Sequence, residues 1–589
     1  MKKIIFLTTT FIYLFLTAGY TQSVNNTKPD SIRLNQVGFY PKAPKTAIVL
    51  TDRPQPFSIK NQSGTIVYKG LLKRISTPDL SGRNVFLADF TTLNKIGIYQ
   101  LFIAKNSNSY FFKISGNVHE SVAKGTLKAF YYIRSSQALL PKYAGKWARA
   151  EGHPDVAVLV HSSAASVQRP TGTVISSPGG WYDAGDYNKY IVNSGISTAT
   201  LLSLYEDFPA YTNSVALNIP ESGNALPDVL DEVLWNLRWM LTMQDPNDGG
   251  VYHKLTNANF DKMIMPDKAT TIRYVVQKGT AATLDFAAVM AQASRIFKRY
   301  PKQLPGLADS CLKAAVSAWE WAKENPKVIY DQPKMNAKFS PAITTGAYDD
   351  KRVDDEFAWA AMELYITTKH DDYLVNVPLY NSVKITIPSW PDVKTLGYYS
   401  LLRKRNELTD VGKKAIPQLK QKLLIFADSL ANGTTLPAYQ TVIGRSTQDY
   451  GWGSTSLAAN QGIAMIQAYQ LSHSVKYINA ALSNLDYILG RNGTGYSFIT
   501  GFGSKTPMHP HHRPSIADGI KEPVPGMMVG GPNPMMQDTI RVPSLIPNRA
   551  YIDDQRAYAA NEIAINWNAP IAYLANAIEA LKVACGYVK

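Results

Sequence analysis

The sequence predicts a large all-α domain preceded by a small β-sandwich. Short β-type runs follow one another at regular spacing in the first part of the chain, and about a dozen segments of helical period fill the rest. The chain has 589 residues, which is too long for one ordinary domain. Hydrophobic residues make up 45% and charged residues 18% of it, a composition typical of a globular protein that excludes a disordered one.

The predicted β-sandwich spans residues 30–115. Its β-type runs include TAIVL at 46–50, VFLADF at 85–90 and GIYQLFI at 97–103, separated by Pro, Gly, Asn and Ser. Because no helical pattern lies between these runs, we expect their strands to pair antiparallel in a small sandwich.

The predicted all-α domain spans residues 117–589. Helical period is evident in segments such as 226–243, 279–299 and 453–473, and several segments carry alanine on more than one face. Alanine-rich helices of this kind suit burial between two layers. We therefore expect a toroid of helical hairpins rather than a bundle.

The amino terminus has the layout of a secretory signal peptide, predicted to span residues 1–21. Lys2 and Lys3 precede an apolar run from Ile4 to about Leu16, and small residues follow. The run is short for a membrane span. We therefore expect an exported protein, periplasmic or extracellular, without stable membrane insertion.

Charge and cysteine content exclude several classes of function. The net charge is +16, but Lys and Arg are scattered without a basic run, so nucleic acid is not an expected partner. Cys311 and Cys585 are the only cysteines, which rules out a disulfide framework and a multi-cysteine zinc site.

Two aspartates lie three positions apart in GGWYDAGDYNKY, residues 179–190. Gly185 between Asp183 and Asp186 allows a tight turn that directs both carboxylates to one side. The aromatic side chains around them suit stacking on sugar rings. The alternative is a Gly-Asp turn that caps the next helix, with its aromatic rings in the core.

A second candidate stretch is PMHPHHRP, residues 507–514, in which three histidines lie beside Arg513. Prolines restrict its backbone. Adjacent histidines normally point apart, so a metal site is the weaker interpretation. Hydrogen bonding to a hydroxyl-rich ligand is favoured.

A third stretch is YIDDQRAYAANEIAINWNAP, residues 551–570, where the pattern predicts a short helix that carries Glu562 among alanine and isoleucine. An apolar setting disfavours an ionised carboxyl group and raises its pKa, as a proton donor near neutral pH requires. The alternative is an ordinary surface glutamate.

A polar aspartate pair and a sheltered glutamate, with aromatic rings nearby, match the two-carboxylate chemistry of glycoside hydrolysis. The sequence resembles glycoside hydrolase family 9, the cellulase family E, with the immunoglobulin-like amino-terminal domain of one of its subgroups. Two long motifs carry the resemblance, SFITGFGSKTPMHPHHR from Ser497 and YIDDQRAYAANEIAINWNA from Tyr551. DAGD at 183–186, YGWGS at 450–454 and IRLNQVGFYP at 32–41 also resemble family sequence.

The resemblance implies an (α/α)6 barrel catalytic domain that hydrolyses β-1,4-glucans with inversion at the anomeric carbon. It makes Asp186 the general base, with Asp183 helping to hold the attacking water, and Glu562 the general acid. Three further residues are expected to bind the sugar next to the scissile bond or to orient the acid: His511, Arg513 and Asp553. The expected lining of the site and of the sugar subsites consists of Tyr558, Trp181, Tyr187, Trp452 and Trp567.

Some members of the family bind calcium through an Asp-Glu pair at a helix start, and Asp355 and Glu356 follow Asp354 at such a start here. A plain acidic helix start favoured by the helix dipole is the alternative. The expected chemistry requires no cofactor, so structural Ca²⁺ is the one candidate ion. The expected partner is a β-glucan polysaccharide or oligosaccharide, and we expect a monomer.

Three functions fit these observations, in decreasing order. The first is an endo-β-1,4-glucanase acting on plant cell-wall glucans with cellulose-type, mixed-linkage, glucomannan or xyloglucan backbones. The second is an exo-acting cellodextrinase, β-glucosidase or glucosaminidase, since the sequence does not reveal loops that close one end of a cleft. The third is a non-catalytic glycan-binding protein, which the intact carboxylates disfavour.

Overall fold

A computed structural model describes residues 31–103 and 107–589. The predicted signal peptide, residues 1–21, lies outside the described residues. Within them, strands dominate up to residue 114 and helices begin at residue 120. The helices in these ranges are too short or too polar to cross a bilayer.

The amino-terminal module is a sandwich of two sheets. Its strands are β1 (Ile32–Arg33), β2 (Gly38–Phe39), β3 (Thr46–Leu50), β4 (Pro56–Asn61), β5 (Ile66–Leu71), β6 (Lys73–Arg74), β7 (Val85–Asp89), β8 (Gly97–Ile103), β9 (Ser107–Asn108) and β10 (Phe112–Ile114). One sheet has the order β1-β3-β7-β6 and the other the order β2-β10-β8-β4-β5, with β9 paired to β8. Phe39 packs edge-on against Phe90 and Phe112 between the sheets, with ring centroids 5.3 and 5.5 Å apart.

The carboxy-terminal domain is helical. Its helices are α1 (Glu120–Tyr132), α2 (Pro141–Ala144), α3 (Ile191–Asp207), α4 (Pro209–Thr212), α5 (Asp228–Thr242), α6 (Thr280–Phe297), α7 (Leu307–Glu324), α8 (Gln332–Asn336), α9 (Asp354–Thr368), α10 (Lys394–Arg403), α11 (Asp410–Ala431), α12 (Ser454–Ser472), α13 (Val475–Ile488), α14 (Arg513–Ala517), α15 (Tyr558–Asn561) and α16 (Ile565–Leu581).

The long helices form two concentric layers. Helices α3, α6, α9, α10, α12 and α16 form the inner layer, and α1, α5, α7, α11 and α13 pack outside them. The alanine-rich inner helices are buried on nearly every side, whereas outer helices such as α7 bury one face. The connection from α9 to α10 holds only short 3₁₀ turns in its described part. The predicted (α/α)6 barrel behind a β-sandwich is confirmed.

The sequence did not predict a third sheet, which lies within the helical domain. Its strands are β11 (Val158–Val160), β12 (Val174–Ile175), β13 (Lys189–Tyr190), β14 (Lys254–Asn257) and β15 (Arg273–Val275), in the order β12-β11-β15-β14-β13. Strand β13 runs directly into α3, and the segment after β15 leads into α6. The sheet therefore lies at the end of the barrel where the inner helices begin.

The opposite end of the barrel is closed by buried ion pairs. Arg295 near the end of α6 contacts Glu206 at 2.9 Å and Glu363 at 2.5 Å, and Arg403 at the end of α10 contacts Asp207 at 2.8 Å. Buried charges are tolerated only when paired in this way. Every member of the network is thus needed to keep the others satisfied.

The β-sandwich is attached to the barrel through buried polar contacts. Asn35 donates to the Asp486 carboxylate on α13 at 2.8 Å, and the Tyr40 hydroxyl donates to Glu579 on α16 at 2.5 Å. The backbone N–H of Gln36 donates to the carbonyl of Leu489 at 3.0 Å. The sandwich therefore braces the helices that end next to it.

Replacing Tyr40 with Phe should destabilise the protein by about 1.5–3 kcal/mol, because it removes one hydrogen bond to a buried carboxylate without changing the packing. Urea unfolding followed by circular dichroism measures the change. Tyr68→Phe is the matched control, since its hydroxyl donates to Asp89 O at 3.2 Å on the exposed side of the same module. Equal losses in both variants would show that the contact to Glu579 does not stabilise the interface.

Candidate active site

The candidate residues meet where the inner helices begin. The DAGD turn precedes β13 and α3, and the 345–353 segment precedes α9. The YGWGS segment precedes α12, and Glu562 lies three residues before α16. The amino-terminal ends of the inner helices, which favour negative charge, thus surround the carboxyl groups.

Gly185 is the residue of the DAGD turn that approaches His511 and Glu562 most closely. Its backbone N–H donates to Glu562 Oε1 at 3.3 Å. A Cβ atom at this position would overlap the carbonyl oxygen of His511 and lie 3.2 Å from Glu562 Oε1. Glycine is required here by lack of space, which the sequence interpretation as a simple turn residue did not include.

Asp183 is buried and bound from two sides. Asn193 Nδ2 donates to its Oδ1 at 2.6 Å, and the Tyr348 hydroxyl donates to its Oδ2 at 2.8 Å. Burial and the neighbouring charge of Asp186 raise the pKa of Asp183, and these two donors oppose the rise. The environment therefore favours the protonated form of Asp183.

Asp186 is stabilised as a carboxylate by donors on one of its oxygens. Asn188 Nδ2 donates to Oδ2 at 2.5 Å and the Tyr190 hydroxyl donates to it at 3.1 Å. Asn188 is itself fixed, because its Oδ1 accepts from Thr256 Oγ1 and from the backbone N–H of Asn257 on β14, both at 3.0 Å. The third sheet thus orients the predicted base.

Glu562 is partly exposed among buried alanine and isoleucine side chains. Burial of its carboxyl group, together with the charges of Asp186 and Asp183, raises the pKa of Glu562 well above its usual range, while the Gly185 N–H opposes this. Helix α15 ends at Asn561, so the prediction that Glu562 lies on this helix is wrong. Its backbone is extended and pairs with His511.

His511 and Asp553 hold the loop beside the acid. His511 Nδ1 donates to the carbonyl of Gln555 at 2.6 Å, and the His511 backbone N–H donates to Asn561 O at 2.8 Å. Asp553 accepts from the backbone N–H groups of Met508 at 2.8 Å and His509 at 2.9 Å. These contacts favour the orienting role among the two predicted for Asp553, because its oxygens are occupied by backbone.

Arg513 is buried beneath the same loop. Its Nη1 donates to the Gly185 carbonyl at 2.5 Å, and its Nε and Nη2 donate to the Asp261 carbonyl at 3.1 and 2.9 Å. The guanidinium therefore joins the DAGD turn to the segment that follows β14. This engagement favours an orienting role for Arg513 over direct contact with sugar.

Three of the four tryptophan and tyrosine residues proposed as subsite walls are buried. Trp181 is fully buried with its ring 4.7 Å from that of Phe130, and Tyr187 is 1% exposed. Trp567 is 8% exposed and lies under Gly453. Their burial disfavours these three as subsite walls, because the DAGD turn and the start of α16 direct their rings into the core.

Trp452 is the proposed wall residue that faces solvent, at 48% exposure. Its ring lies 5.6 Å from the ring of Tyr558, which in turn lies 5.9 Å from the ring of His511. Phe260, 49% exposed, lies 5.7 Å from the guanidinium carbon of Arg513. Aromatic rings thus lie close to two different residues of the active site, His511 and Arg513.

Calcium binding by Asp355 and Glu356 stays a prediction. Asp355 Oδ2 accepts the backbone N–H of Val393 at 2.8 Å, and both buried oxygens of Glu356 lack a donor. Burial and the charge of Asp285 raise the pKa of Glu356. No group of three or more His, Cys, Asp or Glu side chains among the described residues is arranged to hold a metal ion.

Sequence reasoning missed four polar groups that hold the aspartates: Asn188, Tyr190 as a hydrogen-bond donor, Asn193 and Tyr348. Asn193 lies on the first turn of α3, ten residues after Asp183, and its amide alone carries no signal. Tyr348 lies 165 residues away in an irregular segment. Only the tertiary fold brings Tyr348 to Asp183.

The fold and this centre define a class of protein. A carboxyl group with a raised pKa lies beside an aspartate pair at the end of an (α/α)6 barrel where the inner helices begin, an arrangement typical of a glycoside hydrolase. The chain matches the glycosyl hydrolase family 9 pattern over residues 119–575 and the cellulase N-terminal ig-like domain over residues 27–108. It belongs to glycosyl hydrolase family 9.

Two curated relatives and one solved structure resemble the whole chain. A xyloglucan-specific endo-β-1,4-glucanase of Bacteroides ovatus is 43% identical over 570 residues, covering 96% of this chain and 97% of that protein. Endoglucanase D of Acetivibrio thermocellus is 33% identical over 590 residues, covering 97% and 86%. The structure of a Bacteroides ovatus GH9 protein has a TM-score of 0.89 and 42% identity, covering 94% of this chain and 99% of that one.

Gly185→Ala should lower kcat/KM by about a hundredfold, since the added Cβ would displace the His511 loop and the acid by about 1 Å, which is enough for such a loss. Initial rates on a soluble β-glucan measure it. The matched control is Gly451→Ala, where a Cβ meets no atom within 4 Å. Full activity in the Gly185 variant would show that the close approach to Glu562 is not needed.

Proposed function

We propose that this chain is an inverting endo-β-1,4-glucanase that acts on xyloglucan. The observation that carries the proposal is the contact of Glu562 Oε1 with the Gly185 N–H, which sets the acid against the turn that bears Asp186. The Bacteroides ovatus relative, named as xyloglucan-specific, supports the choice of glucan. Endoglucanase D supports internal cleavage of a β-1,4 backbone.

In the proposed reaction Glu562 acts as the proton donor and Asp186 as the proton acceptor. Glu562 transfers its proton to the glycosidic oxygen while the bond from that oxygen to the anomeric carbon breaks. Asp186 takes a proton from a water molecule, whose oxygen forms the new bond to the opposite face of the anomeric carbon. Asp183 helps to hold this water. Proton exchange with solvent then reprotonates Glu562 and deprotonates Asp186, which returns both carboxyl groups to their starting states.

Substrate binding is assigned to the exposed rings. Trp452 and Tyr558 offer apolar faces on which a glucose ring of the backbone can stack, next to His511. Phe260 offers another face next to Arg513. Aromatic surfaces thus lie beside two different residues of the active site. This arrangement favours binding of a glucan chain that extends across the carboxyl groups, as internal cleavage requires.

We also propose that the protein is exported and acts as a monomer. The basic and apolar start of the chain supports secretion by a signal peptide, and a polysaccharide substrate is encountered outside the cytoplasm. The active site is assembled from residues of one chain, which supports action as a monomer. No cofactor takes part in the proposed reaction.

Glu562→Gln should lower kcat on xyloglucan by about 10²–10⁴-fold while leaving binding intact, because the amide keeps the shape but cannot donate the proton. Steady-state rates and isothermal titration with xyloglucan oligosaccharides measure both. Glu522→Gln, on an exposed ion pair with Lys146, is the control and should behave as wild type. Unchanged turnover in the Glu562 variant would remove this residue from the role of acid.

The substrate and outcome are tested on a panel of xyloglucan, carboxymethyl cellulose, mixed-linkage glucan and glucomannan. We expect the highest kcat/KM on xyloglucan, a rapid loss of viscosity per reducing end, and α-anomeric products in proton NMR. Viscosity that falls only with extensive hydrolysis would indicate chain-end cleavage, and β-anomeric products would contradict inversion.

A further inference from the structure

Lys254 is a buried lysine with no role in the reaction described above. It lies on β14 directly opposite Tyr190 in the antiparallel pair with β13. Residues that face each other in such a pair have neighbouring side chains. Lys254 therefore lies directly behind the tyrosine whose hydroxyl donates to the base.

The ammonium group of Lys254 is bound entirely by uncharged oxygens. Its Nζ donates to Gln332 Oε1 at 2.7 Å, to Thr345 Oγ1 at 3.0 Å and to the Gly346 carbonyl at 2.6 Å. These bonds satisfy its three N–H groups but do not neutralise its charge. The positive charge therefore acts on more distant anions.

The same contacts hold the segment that bears Tyr348. Lys254 binds Thr345 and Gly346, and the ring of its neighbour His253 bonds the Ala347 carbonyl through Nε2 at 2.7 Å. Tyr348 has φ of 48°, a left-handed conformation that a large side chain adopts only when its surroundings enforce it. Strand β14 thus fixes the hydroxyl that donates to Asp183.

A second route leads to Asp186 through Tyr190. Lys254 Nζ lies 5.4 Å from the centre of the Tyr190 ring, and the hydroxyl of that ring donates to Asp186 Oδ2 at 3.1 Å. Gly346 packs against the same hydroxyl, where an added Cβ would lie 3.1 Å from the oxygen. One ammonium group is therefore linked to both aspartates.

The charges that face Lys254 are few. Tyr190 and Tyr330 present their rings to it, and burial lowers the pKa of His253 to about 3, so that ring is neutral. Burial lowers the pKa of Lys254 to about 7, and the charge of Asp186 opposes this. The next cations, Lys189 and Arg273, pair with Asp155 at 2.8 and 2.9 Å. Asp183 and Glu562 lie beyond Tyr348.

We propose that Lys254 is a positioning residue of this reaction: it holds Tyr348 on Asp183 and supplies the positive charge that keeps Asp186 ionised. The proposal rests on the function proposed above, in which Asp186 is the general base. It predicts a change in the pH dependence of catalysis, which loss of a purely structural contact would not produce.

The test is the pH profile of kcat/KM on xyloglucan for the full chain with Lys254→Met. We expect the acidic limb to move up by about 0.5–1 pH unit, the low end of the effect of a neighbouring charge because Tyr190 stands between. The sign follows from the base: without the cation, Asp186 is protonated at higher pH. Thermal unfolding of each variant is recorded alongside.

Lys189→Met is the matched control. It removes another buried ammonium from the same strand pair, but one whose charge is neutralised by Asp155. Its acidic limb should stay where the wild type has it, even if its stability falls.

Gln332→Glu keeps the proposal testable if Lys254→Met does not fold. It retains an acceptor for the ammonium and adds a compensating charge. We expect its acidic limb to move up as well.

The outcomes separate this proposal from the function on which it rests. Wild-type hydrolysis with unmoved limbs in folded Lys254→Met and in Gln332→Glu would overturn the role of Lys254 and leave the function intact. Absence of glucan hydrolysis by the wild type would instead overturn the proposed function. An equal shift in Lys189→Met would show that any buried charge near the sheet has the effect.

Discussion

The site depends on the contact between the Glu562 carboxyl group and the backbone of Gly185. This contact brings the partly exposed Glu562 carboxyl group close to two buried aspartates, and the three cannot all be ionised at moderate cost. Neutral amide and hydroxyl donors hold Asp183 and Asp186, while Glu562 receives one backbone N–H among alanine and isoleucine. The difference in surroundings separates the acid from the base.

The barrel provides this contact because its inner helices begin at one end. The segments before α3, α9, α12 and α16 converge there, so residues far apart in sequence become neighbours, as Asp183 and Tyr348 do. The opposite end is closed by ion pairs such as Arg403 with Asp207. The β-sandwich braces α13 and α16 near their carboxy-terminal ends, and the first residues of α16 follow Glu562 closely. The ion pairs that stabilise the barrel and the residues of the active site thus lie at opposite ends of the inner helical layer.

Much of this was predictable from sequence, for physical reasons. Apolar period revealed helices such as α6 and strands such as β8, and spaced motifs placed Asp186 and Glu562 together. The third sheet was missed because strands of two to four residues, such as β13 and β14, are too short to show alternation. The sequence could not predict that Trp181 is buried and Trp452 exposed, because an aromatic residue beside a turn can point to the core or to solvent. Lys254 was missed since its acceptors come from distant loops.

The most direct test of this account is the protonation state of Glu562 itself. A difference infrared spectrum between the wild-type chain and Glu562→Gln, recorded at neutral pH, isolates the bands of this one side chain. We expect the loss of a carbonyl band of a protonated carboxylic acid. Loss of the paired bands of an ionised carboxylate would contradict it.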